Sequence, residues 1–236
     1  MLVFSKTKGY RHESIKAGKL ALQKLGAEKG FDVDTTELSE MFSEDNLKEY
    51  KTVVFLNTTG DVLNPAQQNE FMRFIQSGGG YVGIHAAADT EYDWWWYGKL
   101  AGAYFKSHPQ IQEAKFKKAT ADDVSKDLPE DWVRTDELYN YKKISEDIKV
   151  LYTLDETSYK GGENGDYHPI AWYHDFDGGR SFYTGMGHTN ESYVDPIFLR
   201  HLWMCINYAI GKGRLDFKGA KAKHAPEENR FTKGEF

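Results

Sequence analysis

The sequence predicts an α/β protein with a mostly parallel, doubly wound sheet and an antiparallel extension, and three observations carry that expectation. Short apolar runs alternate with helical patterns over the first 85 residues or so, as in successive right-handed strand, helix, strand units. The segment "TVVFLN" (52–57) is continuously apolar and β-branched, the mark of a strand covered on both faces. From about 110 to 190, strand-like runs follow one another with turn signals and little helical pattern between them.

In chain order, "LVFS" (2–5) reads as a first strand ending in polar "KTKGYRHES". Ile15, Leu22 and Leu25, with small Ala17, Gly18 and Ala21, recur at helical spacing from about His12 to Gly30. "FDVDTTEL" (31–38) alternates like a strand, and a short helix is expected over 43–49. Asn64-Pro65 provides a capping side chain and a proline for the first turn of a helix that runs to about Ser77. "GGGYVGIHAAADT" (78–90) is then a buried strand that delivers His85 among methyl-sized neighbours. "AKFKKAT", "DELYNYK", "IKVLYTLDE", "PIAWYHDF" and "RSFYTGMG" read as the antiparallel extension. A last helix spans about Asp195 to Ile210 and ends at Gly211; from Lys212 onward the chain is polar and unpatterned. The expected division is therefore one α/β domain over 1–212 and a polar tail over 213–236.

Composition narrows the class. With 236 residues, 40% of them hydrophobic, there is material for one large core, and no window approaches the length of a membrane span. A net charge of −6 argues against a nucleic-acid partner. Cys205 is the only cysteine, which excludes an intramolecular disulfide, a zinc-thiolate cluster and a CxxC pair; within an amphipathic helix it reads as a buried, inert thiol. The chain enters a strand at once, so the expected location is the cytoplasm, or the periplasm if a leader has been removed. Whether copies associate as a homo-oligomer stays open.

Ligands of doubly wound sheets bind beyond the carboxyl ends of the strands. Those ends carry "KTKGYRH", "NTTGD" and "HAAAD", so Tyr10, Arg11, His12, Thr59 and His85 are expected to share one crevice. An imidazole there suits a general acid or base near pH 7, or a metal ligand. His12 and His188 each follow a strand end and join His85 as a three-histidine set, although no HxxxH or HExxH spacing singles out zinc; a divalent metal is an option and its identity is left open. In "TDELYNY" (135–141), Asp136 and Glu137 face opposite sides of a regular strand, so at most one reaches the crevice. The run "YDWWWYGKLAG" (92–102) offers rings that stack on sugars, Trp95 foremost, while three consecutive tryptophans on a helix put at least one into the core.

Taken together, "VFSKTKGYRHESI", "NTTGDVLNPAQQNEFMRFIQSGGGYVGIHAAAD", "SHP", "DELYN", "PIAWYH" and "YTGMGHTNESY" resemble the trehalose-utilisation (ThuA-like) family over about residues 1 to 212. The resemblance implies a flavodoxin-like three-layer α/β/α sandwich of the class I glutamine amidotransferase type. His85 stands where those amidotransferases carry a cysteine, which argues against glutamine hydrolysis. The matching family positions are His12, Gly60, His85, His108, Glu137 and His188. A role in carbohydrate metabolism is implied, with His85, His12, Glu137 and His188 catalytic and Tyr10, Arg11, Thr59, Gly60, Trp95, His108 and Tyr139 holding a sugar or 3-keto-sugar. The alternative is a non-catalytic carbohydrate-recognition or scaffolding module. "APEENRFTKGEF" (225–236) resembles a junction leading into a covalently linked domain of the sugar-dehydrogenase type.

Overall fold

The computed structural model describes residues 1–222; the 225–236 segment read as a domain junction lies outside the described residues. The elements in chain order are β1 (Leu2–Phe4), α1 (Ile15–Lys29), β2 (Asp34–Thr36), α2 (Glu44–Leu47), β3 (Thr52–Leu56), α3 (Pro65–Gln76), β4 (Gly80–Ile84), α4 (Trp95–Ala101), β5 (Tyr104–Ser107), β6 (Gln112–Lys118), β7 (Asp131–Asp136), β8 (Asn140–Lys142), β9 (Lys149–Leu154), β10 (His168–Phe176), β11 (Gly179–Thr184) and α5 (Pro196–Ile210). Among the described residues nine strands form one sheet in the order β2-β1-β3-β4-β11-β10-β9-β6-β7, while β5 and β8 pair separately.

The expected α/β architecture is present, and two of its strands sit differently from the sequence reading. β11, expected in the antiparallel extension, pairs parallel with β4 and antiparallel with β10, so it is the seam between the two halves of the sheet. "DELYNYK" is not one strand. β7 ends at Asp136, the chain turns through Glu137 to Tyr139, and β8 belongs to the small sheet.

Local sequence accounts for the helix ends. Asn64 and Gln67 make a reciprocal capping box at 2.9 Å in each direction, and Pro65 opens α3. The Asp195 side chain accepts from the Ile197 N–H at 2.8 Å ahead of Pro196 and α5. Alternation then sorts the layers. In β4, Tyr81 meets Phe55, Phe71 of α3 and Tyr97 of α4, whereas Gly80 faces Ala209 of α5. In β11, Ser181 donates to the Leu100 carbonyl of α4 and Phe182 packs on His201 and Tyr208 of α5. The result is a three-layer sandwich.

At Gly80 the close approach is obligatory, because a Cβ there would run into the Ala209 backbone carbonyl, which no rotamer change can move. Gly80→Ala should therefore lower unfolding stability by about 1–3 kcal/mol, read from the denaturant midpoint at unchanged slope.

The start of the expected tail is described to Ala222. Residues 213–222 carry a short 3-10 turn (Phe217–Gly219), and Ala222 is clasped to α3: its N–H donates to Gln76 at 2.6 Å and its carbonyl accepts from buried Arg73 at 2.7 Å. Among the described residues no helix is long and apolar enough to cross a membrane. Cys205 is buried on α5 with its thiol pushed well up by burial, as the helical pattern predicts.

Candidate functional site

Three loops at the carboxyl edge are stitched together by main-chain bridges, Thr7 with Thr59 and Gly60 with Thr90. Asn57, in the left-handed region at φ 50°, ties them to a fourth: its side-chain amide donates to Ser14 Oγ at 3.0 Å and to the Gly187 carbonyl at 3.4 Å. These ties bring residues 12, 85 and 188, far apart in sequence, to one place. The imidazole centroid of His12 lies 5.0 Å from those of both His85 and His188, and His85 and His188 are also 5.0 Å apart.

His85 occupies the first position after β4, also in the left-handed region at φ 49°. For a non-glycine residue that conformation costs of order 1–2 kcal/mol, which the surroundings must hold in place. Its carbonyl accepts from Tyr183 at 2.7 Å, and its Nδ1 lies 2.8 Å from the Gly185 carbonyl. A carbonyl can only accept, so Nδ1 carries a proton. Nε2 points at His188 Nδ1, 3.1 Å away, and at Glu137 Oε2, 3.2 Å away. His188 Nδ1 is itself 3.1 Å from Glu137 Oε2, and the other carboxylate oxygen, Oε1, is 3.1 Å from His108 Nδ1. Glu137 thus touches three histidines.

Burial by itself would raise the Glu137 pKa, but hydrogen bonds from His188 and His85 outweigh it and hold the carboxyl well below its usual range. Burial likewise works against a charged His188, and Glu137 reverses the balance, raising that imidazole. His12 has no such partner. Burial first, then the neighbouring His85 and His188, push it down to about 3, so it is neutral at physiological pH. Its Nδ1 is sealed from solvent with no hydrogen-bond partner among the described residues.

The loop carrying His188 is fixed from beneath. Asp136, fully buried, accepts the N–H groups of Gly187 at 2.9 Å and His188 at 3.1 Å, and pairs with Arg134 at 2.9 Å. Arg134 lies between the Trp132 and Phe198 rings and also donates to Ser192 at 2.6 Å. Of the adjacent carboxylates, one faces the crevice and the other holds its wall.

The cavity has a volume of about 430 Å³ and is lined by Tyr10, His12, Asp89, Phe105, His108, Glu137, Tyr139 and His188. Tyr10, His12, His108, Glu137, Tyr139 and His188 were all expected there. His85, fully buried, stands behind Glu137 and His188 and does not line it, so it reaches a ligand only through them. Four other assignments differ. Arg11 turns away to an exposed bidentate pair with Glu37, at 3.0 and 2.9 Å. Thr59 is a brace: its hydroxyl donates to the Tyr10 carbonyl and accepts the Gly9 N–H, and Gly60, at φ 72°, is pinned by its own N–H to the Asp89 carbonyl. Trp95 lines a separate cavity with Gln76, Trp96, Phe176 and Asp177, near the amino ends of β4 and β11, while Trp94 and Trp96 are buried in the core.

Asp89 and Phe105 were missed by the sequence reading. Asp89 ends the "HAAAD" turn, a signal already visible at His85, and its Oδ1 accepts from Tyr92 at 2.7 Å. Burial raises its carboxyl pKa, with Tyr92 pulling the other way.

The ring nitrogens of His12, His85 and His188 and a Glu137 oxygen all lie within 4.8 Å of one another, a donor set able to hold a metal ion. The fold and this centre define an α/β protein with a three-histidine, one-carboxylate cluster at the sheet's carboxyl edge. The family model for trehalose utilisation (ThuA) matches residues 1–209, and the chain belongs to that family. A ThuA-like protein of Bacteroides uniformis superposes with a TM-score of 0.74 at 24% identity, covering 89% of this chain and 91% of that one. A ThuA-like protein of Parabacteroides merdae gives 0.72 at 21% identity, with coverages of 90% and 91%. A cytoplasmic protein of Salmonella typhimurium gives 0.62 at 11% identity, with coverages of 90% and 100%, a likeness of fold alone. Among curated proteins none matches.

Proposed function

We propose that this chain is a carbohydrate-metabolism enzyme that moves a proton on a sugar or 3-keto-sugar held in the histidine-lined cavity. The observation that carries the reading is the convergence of His12, His108, His188 and Glu137 on one solvent-reachable hollow, with His85 directly behind, at the edge where such sheets bind ligands. The family's link to trehalose utilisation supports a sugar as the substrate class.

Tyr10, 64% exposed at the mouth, and the Phe105 and Tyr139 rings inside offer flat apolar surfaces for a pyranose. His188 and Glu137 form the proton-transfer pair, with His85 orienting both. Asp89 is the second carboxylate of the cavity; burial raises its pKa, which favours exchange of a proton with a ligand hydroxyl.

The test is a screen of disaccharides and their 3-keto derivatives, followed by variants on any substrate turned over. His188→Ala should lower kcat by about 10²-fold or more, and Tyr10→Ala should act mainly on KM. Unchanged turnover in His85→Ala on every active substrate contradicts the reading. Saturable sugar binding without turnover would instead favour the recognition-module alternative.

A further inference from the structure

We propose that His12, His85, His188 and Glu137 bind one divalent transition-metal cation, of the class that includes zinc, iron, cobalt and manganese. This rests on the proposed function, since it concerns the same site, and refines it: with the cation bound, His188 and Glu137 serve as ligands and Asp89 is the group left to exchange a proton, while the inference itself stands on separate observations.

The first is spacing. His85 Nε2, His188 Nδ1 and Glu137 Oε2 are mutually 3.1, 3.1 and 3.2 Å apart. Donor atoms around a cation with bonds of 2.0–2.1 Å sit about 3.3 Å apart when the geometry is tetrahedral. Three atoms already form one face of such a polyhedron. The second is the proton count. The Gly185 carbonyl takes the Nδ1 proton of His85, and Nε2 faces a carboxylate oxygen at 3.2 Å. A nitrogen and a carboxylate oxygen at that distance need something positive between them, a second ring proton or a cation. A cation meets that requirement for His85, His188 and Glu137 together.

The third observation is the outer shell. The Gly185 carbonyl on His85 Nδ1 is the arrangement that fixes tautomer and ring orientation in metal-binding histidines. Asp136 fixes the backbone of His188 through two N–H groups, and His108 contacts the second oxygen of Glu137. The fourth is His12: buried, with a sealed Nδ1 that no hydrogen bond uses among the described residues, and with a donor atom inside the same 4.8 Å group. Three imidazoles with one carboxylate are nitrogen-rich, borderline-soft donors, which favours transition metals over Mg²⁺ or Ca²⁺. Tyr10, His108 and Asp89 border the open side, where a sugar oxygen would approach.

The experiment uses the full chain without an affinity tag, stripped with chelator and titrated with Zn²⁺ and Co²⁺ by calorimetry and by the visible absorption of Co²⁺. The expected result is about one equivalent per chain, with a cobalt band typical of low coordination number. Glu137→Gln and His188→Asn should each weaken binding by at least about 10-fold, while His108→Ala, outside the donor set, should keep the stoichiometry. Circular dichroism of each variant separates lost binding from lost fold. If stripped protein takes up no more cation than Glu137→Gln does, or if His12, His85 and His188 can each be replaced without weakening binding, the inference is overturned. Should that happen while His85→Ala still abolishes turnover, the proposed function survives as metal-free proton transfer; a bound cation with no sugar turnover removes the proposed function and leaves the metal site standing.

Discussion

Replacing Glu137 by glutamine is expected to lower kcat/KM by about 10²–10⁴-fold on any sugar the protein turns over, with the fold intact. The amide keeps the shape but loses the charge. Burial opposes that charge, and the carboxylate persists only because His188 and His85 hold it. Removing it takes away the one group that contacts His85, His188 and His108 together, at 3.2, 3.1 and 3.1 Å. The His188 imidazole, raised by Glu137, should fall toward neutrality in the variant. A titration of the histidine C–H resonances by NMR checks this directly: the His188 signal should move to lower pKa in Glu137→Gln. Steady-state kinetics read the first effect, and wild-type turnover would contradict it.

The largest effect on stability is expected at Asp136. Asp136→Ala should cost about 3–5 kcal/mol, because it leaves the Arg134 charge buried without its carboxylate. It also strips two N–H groups, those of Gly187 and His188, of their acceptor. Chemical denaturation should show the midpoint falling at a nearly constant slope. Arg134→Met combined with Asp136→Asn should lose less than the sum of the two single changes, since no uncompensated charge remains in the double variant. Additive losses would mean that the two residues do not act as one unit.

Much of the fold was legible because its first half is local. The apolar run at 52–57, the Asn64-Pro65 start and the buried strand before His85 each announce their element without distant partners. The second half is not local. "PIAWYHDF", "FDGG" and "RSFYTGMG" do form a hairpin, but nothing in that stretch says that its second strand inserts beside β4. β7 is hidden for a different reason: its inward positions are Trp132, Arg134 and Asp136, so two charges stand where apolar residues would have marked the face. Those same charges hold the wall of the site.

The candidate site followed the same division. His12, His85 and His188 follow strand ends, and the carboxyl-edge rule drew them together; strand alternation left Glu137 open, and only the family resemblance pointed to it. Arg11 and Thr59 obey the rule in position but not in direction, since Glu37 and the Tyr10 loop claim their side chains. The aromatic run at 92–97 gave no way to tell which ring would face which cavity, and Trp95 went to the opposite edge of the sheet.

The central claim is that His85 and Glu137 belong to one functional centre although His85 never touches the cavity. A double-mutant cycle on turnover tests it most directly, using His85→Ala, Glu137→Gln and the pair, each confirmed folded. A shared centre predicts that the pair is hardly slower than the worse single variant, because either change already disables the unit. Losses that multiply, with each residue contributing its own independent factor, would contradict it.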